Sequence, residues 1–211
     1  MRITKKIKAA QLAVLAEVYK DAKPALVFSN PFELLIAVIL SAQCTDKRVN
    51  LVTARLFAKV RTPADIVAMG EEVLAENIRD CGLFRNKAKN IVAACRMLEE
   101  KYGGAVPRDF SALKELPGVG RKTANVVMSV GFGVPAIAVD THVFRVANRL
   151  KLAMGDTPLK VEEGLKAAIP KEQWSAAHHW LIWHGRNYCR ARNPKCGECP
   201  LQEICPREGV E

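Results

Sequence analysis

The chain has 211 residues, 49% of them hydrophobic, so it can bury a substantial core and is not expected to be disordered. Its 32 Lys and Arg residues against 22 Asp and Glu give a formal net charge of +10, which suits a polyanionic partner better than an acidic protein or a small neutral ligand, although a basic soluble protein without such a partner has the same balance. No stretch supplies the roughly 18 consecutive apolar residues that a membrane span needs, and the N-terminus has the spacing of an amphipathic helix and not of a signal peptide, so we expect an intracellular protein.

Nearly every segment has apolar residues at helical spacing, which predicts an all-α fold. An amphipathic helix comes first, and Asn30 followed by Pro31 predicts the cap and the first residue of a largely buried helix that ends near Leu40. Only the stretch from Ile137 to Phe144 has strand-like character. Further helices are predicted over approximately residues 46–60, 71–80, 87–102, 111–116, 119–130, 141–150, 158–168 and 173–189, with a short one that starts at Thr62 and Pro63.

A change of domain is predicted near residue 134, where Gly131, Gly133 and Pro135 interrupt the helical pattern. The N-terminal helix has no obvious place in the central run of short connections, so we expect it to pack with the C-terminal half. The predicted domains are therefore a helical bundle of residues 24–134 and a discontinuous helical domain of residues 1–23 and 135–211.

A glycine turn in the segment LPGVGRKTA predicts a site for phosphate. Gly118 and Gly120 allow positive φ and close backbone approach, and the N–H groups at the start of the following helix point outward. A tight turn between two helices would use the same glycines. Arg121 and Lys122 beside the turn, with Lys114 before it, favour a hold on a nucleic-acid backbone.

Lys122 and Asp140 are candidates for chemistry. A lysine becomes a nucleophile when its ammonium loses a proton, and the neutral amine can attack the anomeric carbon of a sugar, expel a base and leave a Schiff base. A carboxylate fixed at a helix start can assist that deprotonation or offset positive charge on the sugar. The residues alone leave plainer roles open, a solvated phosphate contact for Lys122 and an N-cap for Asp140.

Four of the seven cysteines form the pattern C-x6-C-x2-C-x5-C near the C-terminus, at Cys189, Cys196, Cys199 and Cys205. In a reducing compartment clustered cysteines hold a metal more often than they form disulfides, and four thiolates suit either zinc or an iron–sulfur cluster. We assign the nearby histidines to packing or to the surface and not to the ligand set, because they share a helix with two tryptophans: His178, His179 and His184.

The segment between the first two of these cysteines carries three cations, Arg190, Arg192 and Lys195. Three cations within six positions favour contact with nucleic-acid phosphates, because a metal centre that fixes the loop also fixes its charges. A solvated charged loop is the alternative.

Nearly the whole chain resembles the endonuclease III family, the base-excision-repair DNA glycosylases with AP lyase activity, and LPGVGRKTA resembles the helix-hairpin-helix motif of DNA repair proteins. The similar segments occur in the family's order: PFELLIAVILSAQCTD, GLFRNKA, LPGVGRKTANVV, VDTHVFRVANRL, HHWLIWHGR and the terminal cysteines. The resemblance implies that Lys122 is the nucleophile, that Asp140 is its catalytic partner and that the four cysteines bind a [4Fe-4S] cluster.

The resemblance also implies that Gln43 and Leu83 fill the gap left by an extruded base and hold the unpaired partner base. Taken alone, Gln43 is a polar residue that ends an apolar helix, and Leu83 would be a staple packed on the next helix. Two positions depart from the family: Cys44 stands where relatives usually carry a small or hydroxyl residue, and Phe84 where a tyrosine is familiar. These departures bear on substrate preference more than on the reaction.

The resulting prediction is a fold of two helical domains, a helix-hairpin-helix bundle and an iron–sulfur cluster domain, with Lys122 and Asp140 facing each other across the cleft between them. The resemblance implies that the chain removes oxidised pyrimidines from double-stranded DNA and nicks the strand 3′ to the abasic site by β-elimination. We expect a monomer in the cytoplasm, associated with the nucleoid. The alternatives are an adenine-mismatch glycosylase of the same fold without a lysine nucleophile, a non-catalytic DNA-binding module with a structural zinc, and a small electron carrier.

Overall fold

The computed structural model describes residues 3–210, which form eleven α-helices and no β-strand. This confirms the all-α prediction: the strand-like stretch forms no strand, and from Thr141 it is helical. The helices are α1 Lys5–Val18, α2 Pro31–Leu40, α3 Asp46–Leu56, α4 Pro63–Met69, α5 Glu71–Asn77, α6 Phe84–Tyr102, α7 Phe110–Glu115, α8 Arg121–Val126, α9 Thr141–Arg149, α10 Pro158–Ala168 and α11 Trp174–Asn187. A π-helical turn, Val127–Gly131, continues α8, and 3₁₀ turns cover Lys171–Gln173 and Cys196–Glu198.

Polar caps determine where several helices start. Asn30 Oδ1 accepts a hydrogen bond of 2.9 Å from the N–H of Glu33, and Pro31 is the first residue of α2, as predicted. Thr62 and Asp65 form a reciprocal capping box at the start of α4.

The start of α6 differs from the prediction. This helix begins at Phe84 instead of Lys87, because Leu83 adopts the left-handed conformation with φ 57° and acts as the N-cap. Leucine and phenylalanine are not typical of a helix start, so the spacing of apolar residues alone predicted a start that is three residues too late.

Pro24–Gly133 form one compact unit around α2. Nine of the ten residues of α2 are buried, and the helix packs against α3, α6, α8 and the π-helical turn, while α4 and α5 pack against α6. The buried carboxylate of Glu33 accepts a hydrogen bond of 2.7 Å from the N–H of Ser29, which satisfies it. The fully buried core of this unit includes Leu34, Leu35, Ile36, Leu56, Ile66, Leu74, Ile91 and Leu98.

Of the described residues, 3–23 and 134–210 form the second compact unit. Here α1 and α9 pack against α11, and α10 packs against α9. Gln11 Nε2 donates hydrogen bonds to the carbonyl oxygens of Leu150 (3.1 Å) and Ile204 (2.9 Å), which ties α1 to the C-terminal segment. None of the helices in the described part of the chain has the length and apolar character that a membrane crossing requires. The core of the second unit includes Leu12, Leu15, Val143, Val146, Leu165, Ala177, Leu181 and Leu201.

Candidate active site and cluster loop

The turn between α7 and α8 carries the two glycines of the predicted phosphate site. Gly118 has a φ of 78°, and a Cβ added there would lie 3.0 Å from Asn90 Cβ on α6, so backbone conformation and close packing both require glycine. Gly120 has an ordinary φ of −89°, and within the described residues an added Cβ would meet no atom within 4 Å. No side chain among residues 3–210 caps α8. A helix start of this kind presents backbone N–H groups that suit a phosphate oxygen.

Cationic side chains gather around this turn. Lys122 is the second residue of α8, and its side chain is exposed. The Arg121 guanidinium lies 5.2 Å from the centroid of the Phe110 ring, and Lys114 Nζ lies 5.9 Å from the same centroid. At these distances an aromatic face attracts a cation, so the ring helps to hold two positive charges at the turn.

Asp140 caps α9 in the second unit. Its Oδ1 accepts hydrogen bonds from the N–H groups of His142 (2.9 Å) and Val143 (2.8 Å), and the residue is half-buried. The N-cap role expected for this residue is therefore present. A carboxylate held by two backbone donors has a fixed position and orientation, which is the property that a catalytic carboxylate needs.

Gln43 and Leu83 lie on two loops of Pro24–Gly133 whose backbones adjoin. A Cβ added to Gly82 would lie 3.7 Å from the carbonyl oxygen of Gln43. Both residues have positive φ, 53° for Gln43 and 57° for Leu83, a conformation that is strained for residues other than glycine and is concentrated at functional sites. Leu83 is 57% exposed, so it is not a staple packed on the next helix. Gln43 and Leu83 thus place one polar and one apolar side chain at the surface, each on a residue with positive φ.

The four C-terminal cysteines lie near one another in the second unit. Burial raises the pKa values of the Cys199 and Cys205 thiols, and the neighbouring thiols of Cys189 and Cys196 raise both further. The N–H of Leu201 lies 3.4 Å from Cys199 Sγ, that of Arg207 lies 3.4 Å from Cys205 Sγ, and Arg149 Nη1 lies 3.7 Å from Cys189 Sγ. Donors aimed at sulfur stabilise a thiolate, which is the form that binds a metal.

The donor set of this loop fits an iron–sulfur cluster, which four cysteine thiolates can bind. Thiolate ligands of the same number also suit zinc, so ligand type alone does not choose between the two.

The loop between Cys189 and Cys196 is held from α9. Arg149 donates from Nη1 to the carbonyl oxygen of Arg190 (2.6 Å) and from Nη2 to that of Ala191 (3.2 Å). The side chains of Arg190, Arg192 and Lys195 are exposed, and Lys195 Nζ lies 3.3 Å from a carboxylate oxygen of Glu198. The backbone of the loop is therefore anchored and its cations are exposed, while the contact of these cations with phosphate stays a prediction.

Sequence reasoning assigned the histidines of α11 to packing or to the surface, and it missed the position of one of them. His184 is buried, its Nε2 lies 3.6 Å from Cys199 Sγ, and its Nδ1 lies 3.3 Å from the Tyr19 hydroxyl. Burial lowers the pKa of His184 to about 4. His184 is therefore a neutral neighbour of the sulfur and not an additional cation. The pattern gave one signal, since His184 precedes the first clustered cysteine by slightly more than one helical turn.

Comparisons with known proteins identify the class of protein to which the chain belongs. Residues 36–171 match the HhH-GPD superfamily of base excision DNA repair proteins, and residues 189–205 match the iron-sulfur binding domain of endonuclease III. The second match confirms the predicted [4Fe-4S] cluster, and the zinc alternative is wrong. Within this class the chain belongs to the endonuclease III family, as its sequence predicted.

Relatives support this over most of the chain. Endonuclease III of Bacillus subtilis is 55% identical over 196 residues, which are 92% of this chain and 89% of that protein. Endonuclease III of Escherichia coli K12 is 52% identical over 178 residues, 84% of each chain.

Among solved structures, a trapped endonuclease III–DNA covalent intermediate matches with a TM-score of 0.94 and 55% identity, covering 98% of this chain and 97% of that one. A thermostable thymine-DNA glycosylase matches with a TM-score of 0.87 and 25% identity, covering 96% of each chain. The same fold therefore also occurs in a more distant glycosylase.

Proposed function

We propose that this chain is a base-excision-repair DNA glycosylase with AP lyase activity and that Lys122 is its nucleophile. One observation carries the proposal: an exposed lysine follows a turn suited to phosphate, in a chain 55% identical to an endonuclease III that has been trapped as a covalent intermediate with DNA. The substrate is double-stranded DNA that contains an oxidised pyrimidine or an abasic site, and such a substrate places the enzyme at the nucleoid.

In the proposed reaction the neutral amine of Lys122 attacks C1′ of the damaged nucleotide. The bond from C1′ to the base breaks, the base leaves with the bonding electron pair and takes up a proton, and opening of the sugar gives a Schiff base. Loss of a proton from C2′ then expels the 3′ phosphate by β-elimination, and water hydrolyses the Schiff base. Asp140 accepts the proton that the Lys122 ammonium loses to become the neutral amine, and it offsets positive charge on the sugar.

The DNA contacts are assigned to three surfaces. The hairpin, with Gly118, Gly120 and Arg121, binds backbone phosphate. Gln43 and Leu83 enter the duplex where the damaged base leaves it. The third surface is the cluster loop, in which four cysteines bind the [4Fe-4S] cluster and three cations contact phosphate: Cys189, Cys196, Cys199, Cys205, Arg190, Arg192 and Lys195. The bound cluster cross-links this loop, and no step of base removal passes through it.

Borohydride reduction tests the proposal, because it converts the Schiff base into a stable amine. Wild-type protein reduced during reaction with a duplex that contains an oxidised pyrimidine should give a covalent protein–DNA adduct, and Lys122→Ala should give none. Lys160→Ala is the matched control, since Lys160 is an exposed lysine in the first turn of another helix, α10. An equal adduct yield from Lys122→Ala would overturn the assignment, and base release without any adduct would favour the monofunctional mismatch glycosylase.

A further inference from the structure

Lys87 is a buried lysine beside the two loops that carry Gln43 and Leu83. It lies in the first turn of α6, its side chain is 5% exposed, and its backbone N–H donates to the carbonyl oxygen of Leu83 at 3.0 Å. Lysine is among the residues that are least often buried, so its burial requires a compensating interaction.

That interaction is with the end of α2. Lys87 Nζ donates a hydrogen bond of 2.8 Å to the carbonyl oxygen of Leu40, the last residue of α2. The last carbonyl groups of a helix lack partners within the helix and carry partial negative charge, so a cation is stabilising there. The same cation is unfavourably placed at the start of its own helix α6, where the dipole is positive. The contact with α2 is therefore what explains the position of Lys87.

The surroundings keep this contact dry. The thiols of Cys44 and Cys81 neighbour the Lys87 amine, and Cys81 is fully buried. Burial raises the pKa of Cys81 to about 12 and lowers that of Lys87, so a neutral Cys81 thiol and the Leu40 carbonyl lie beside the amine. A hydrogen bond in such an environment is costly to remove, because the carbonyl is left without a partner.

The two ends of this hydrogen bond adjoin the two displayed residues. Leu40 precedes the loop that carries Gln43, and Lys87 lies one helical turn after Leu83. Both Gln43 and Leu83 have positive φ, a conformation that persists only when the surrounding structure holds it. The Lys87 side chain is a direct link between the segments on which they stand, beside the hydrogen bond between the Cys44 and Cys81 thiols.

We infer that Lys87 is a positioning residue that holds the Gln43 loop and the Leu83 turn in one fixed arrangement, so that both side chains enter the duplex together when a base is extruded. The inference rests on the proposed roles of Gln43 and Leu83. It concerns recognition of the lesion, whereas Lys122 and Asp140 concern the chemistry.

Lys87→Met keeps the length and the apolar stem of the side chain and removes the donor. The measurement is binding to two duplexes of the same sequence, one undamaged and one with a tetrahydrofuran abasic analogue opposite 2-aminopurine. Lys87→Met should lower the preference for the abasic duplex by about tenfold, since one buried hydrogen bond is removed, and should weaken the rise in 2-aminopurine fluorescence. Affinity for undamaged duplex should be unchanged, and Lys87→Arg should restore part of the preference.

Lys89→Met is the matched control, because Lys89 is an exposed lysine on the same helix. It should leave the preference and the fluorescence change at wild-type values. If circular dichroism shows that Lys87→Met does not fold, Lys87→Gln is measured in its place. The glutamine amide is too short to replace the amine, so this variant should show the same loss of preference for the abasic duplex. This inference alone is overturned if the wild type forms the borohydride adduct and a folded Lys87→Met or Lys87→Gln variant still prefers the abasic duplex as strongly as the wild type does. No adduct and no preference in the wild type would overturn it together with the proposed function.

Discussion

The two units of the chain present their candidate functional residues in different ways. In Pro24–Gly133 three of them stand on unusual backbone, with positive φ at Gln43, Leu83 and Gly118, while Lys122 lies in the regular helix α8. In the other unit they stand on ordinary backbone and are held by hydrogen bonds, as at the Asp140 cap and around the four thiols. The first arrangement is complete once the helices pack. In the second, the cysteine loop also depends on a bound cluster, since metal binding and folding are coupled in such loops.

Replacing Asp140 by asparagine tests its acid–base role separately from its role as the N-cap of α9. Asp140→Asn should lower the rate of base removal by about 10²- to 10⁴-fold, because the acid–base group is lost while an amide oxygen can still cap α9. The thermal midpoint should stay near the wild-type value. Single-turnover assays on damaged duplex and thermal melts measure the two effects.

Asp140→Ala is the companion variant, because it removes the cap as well and should cost about 1 kcal/mol of stability. Unchanged turnover in Asp140→Asn would show that Asp140 is only a structural cap. The second unit would then contribute no catalytic residue to the comparison.

The glycines of the hairpin test whether backbone conformation is essential in Pro24–Gly133. Gly118→Ala should destabilise the protein by about 1–3 kcal/mol, because a side chain at φ 78° is strained and would press on Asn90. Gly120→Ala should lose less stability, since its φ is ordinary. Urea unfolding compares them, and equal stabilities would show that the turn tolerates a side chain.

The basic loop tests the dependence on the cluster. Combined replacement of Arg190, Arg192 and Lys195 by alanine should lower the slope of log affinity against log salt by about one unit for each phosphate that the loop no longer binds. Oxidative removal of the cluster from the wild type should lower the slope similarly. Lys20→Ala, at an exposed lysine of the same unit, is the control and should leave the slope unchanged. An unaltered slope in the triple variant would mean that the loop faces solvent.

The smallest expected effect is a dependence of stability on pH between 6.5 and 4, where buried histidines of only one unit titrate. Burial, and then the charge of His178, lowers the pKa of His179 from 6.5 to about 4. The unfolded chain therefore binds a proton near pH 6.5 and the folded chain only near pH 4. The stability contributed by His179 is complete above pH 6.5 and is lost as the pH falls toward 4.

This effect can be observed selectively, because all four histidines and all three tryptophans lie outside Pro24–Gly133. Tryptophan emission during acid unfolding should report the loss, His179→Gln should reduce it, and hydrogen exchange in α6 should be unaffected. Equal acid sensitivity in the two units would contradict the comparison.

Local signals predicted the helices well where a cap decides the start, as at Asn30, Thr62 and Asp140. They failed where tertiary contact decides. The π-helical turn after α8 has no local signature, and Gly131 packs there so closely on Leu34 that an added Cβ would lie 3.1 Å from Leu34 Cδ2.

The candidate site divides in the same way. Residue type and the family resemblance were sufficient to nominate Lys122 and Asp140. Lys87 gives no such signal by type, because lysine is usually at the surface, although it lies on the apolar stripe of α6 with Ile91 and Cys95, and this spacing was its available signal.

The position of α1 has a consequence for biosynthesis. Tyr19 at its end contacts His184, 165 positions further along the chain. The apolar face of α1 leaves the ribosome before its partner α11, and roughly 10–30 s pass between the two at ordinary rates of translation. Pro24–Gly133 is completely synthesised within that interval. We therefore expect nascent chains to expose Leu12 and Leu15 for that time, which makes α1 a segment that a chaperone would cover.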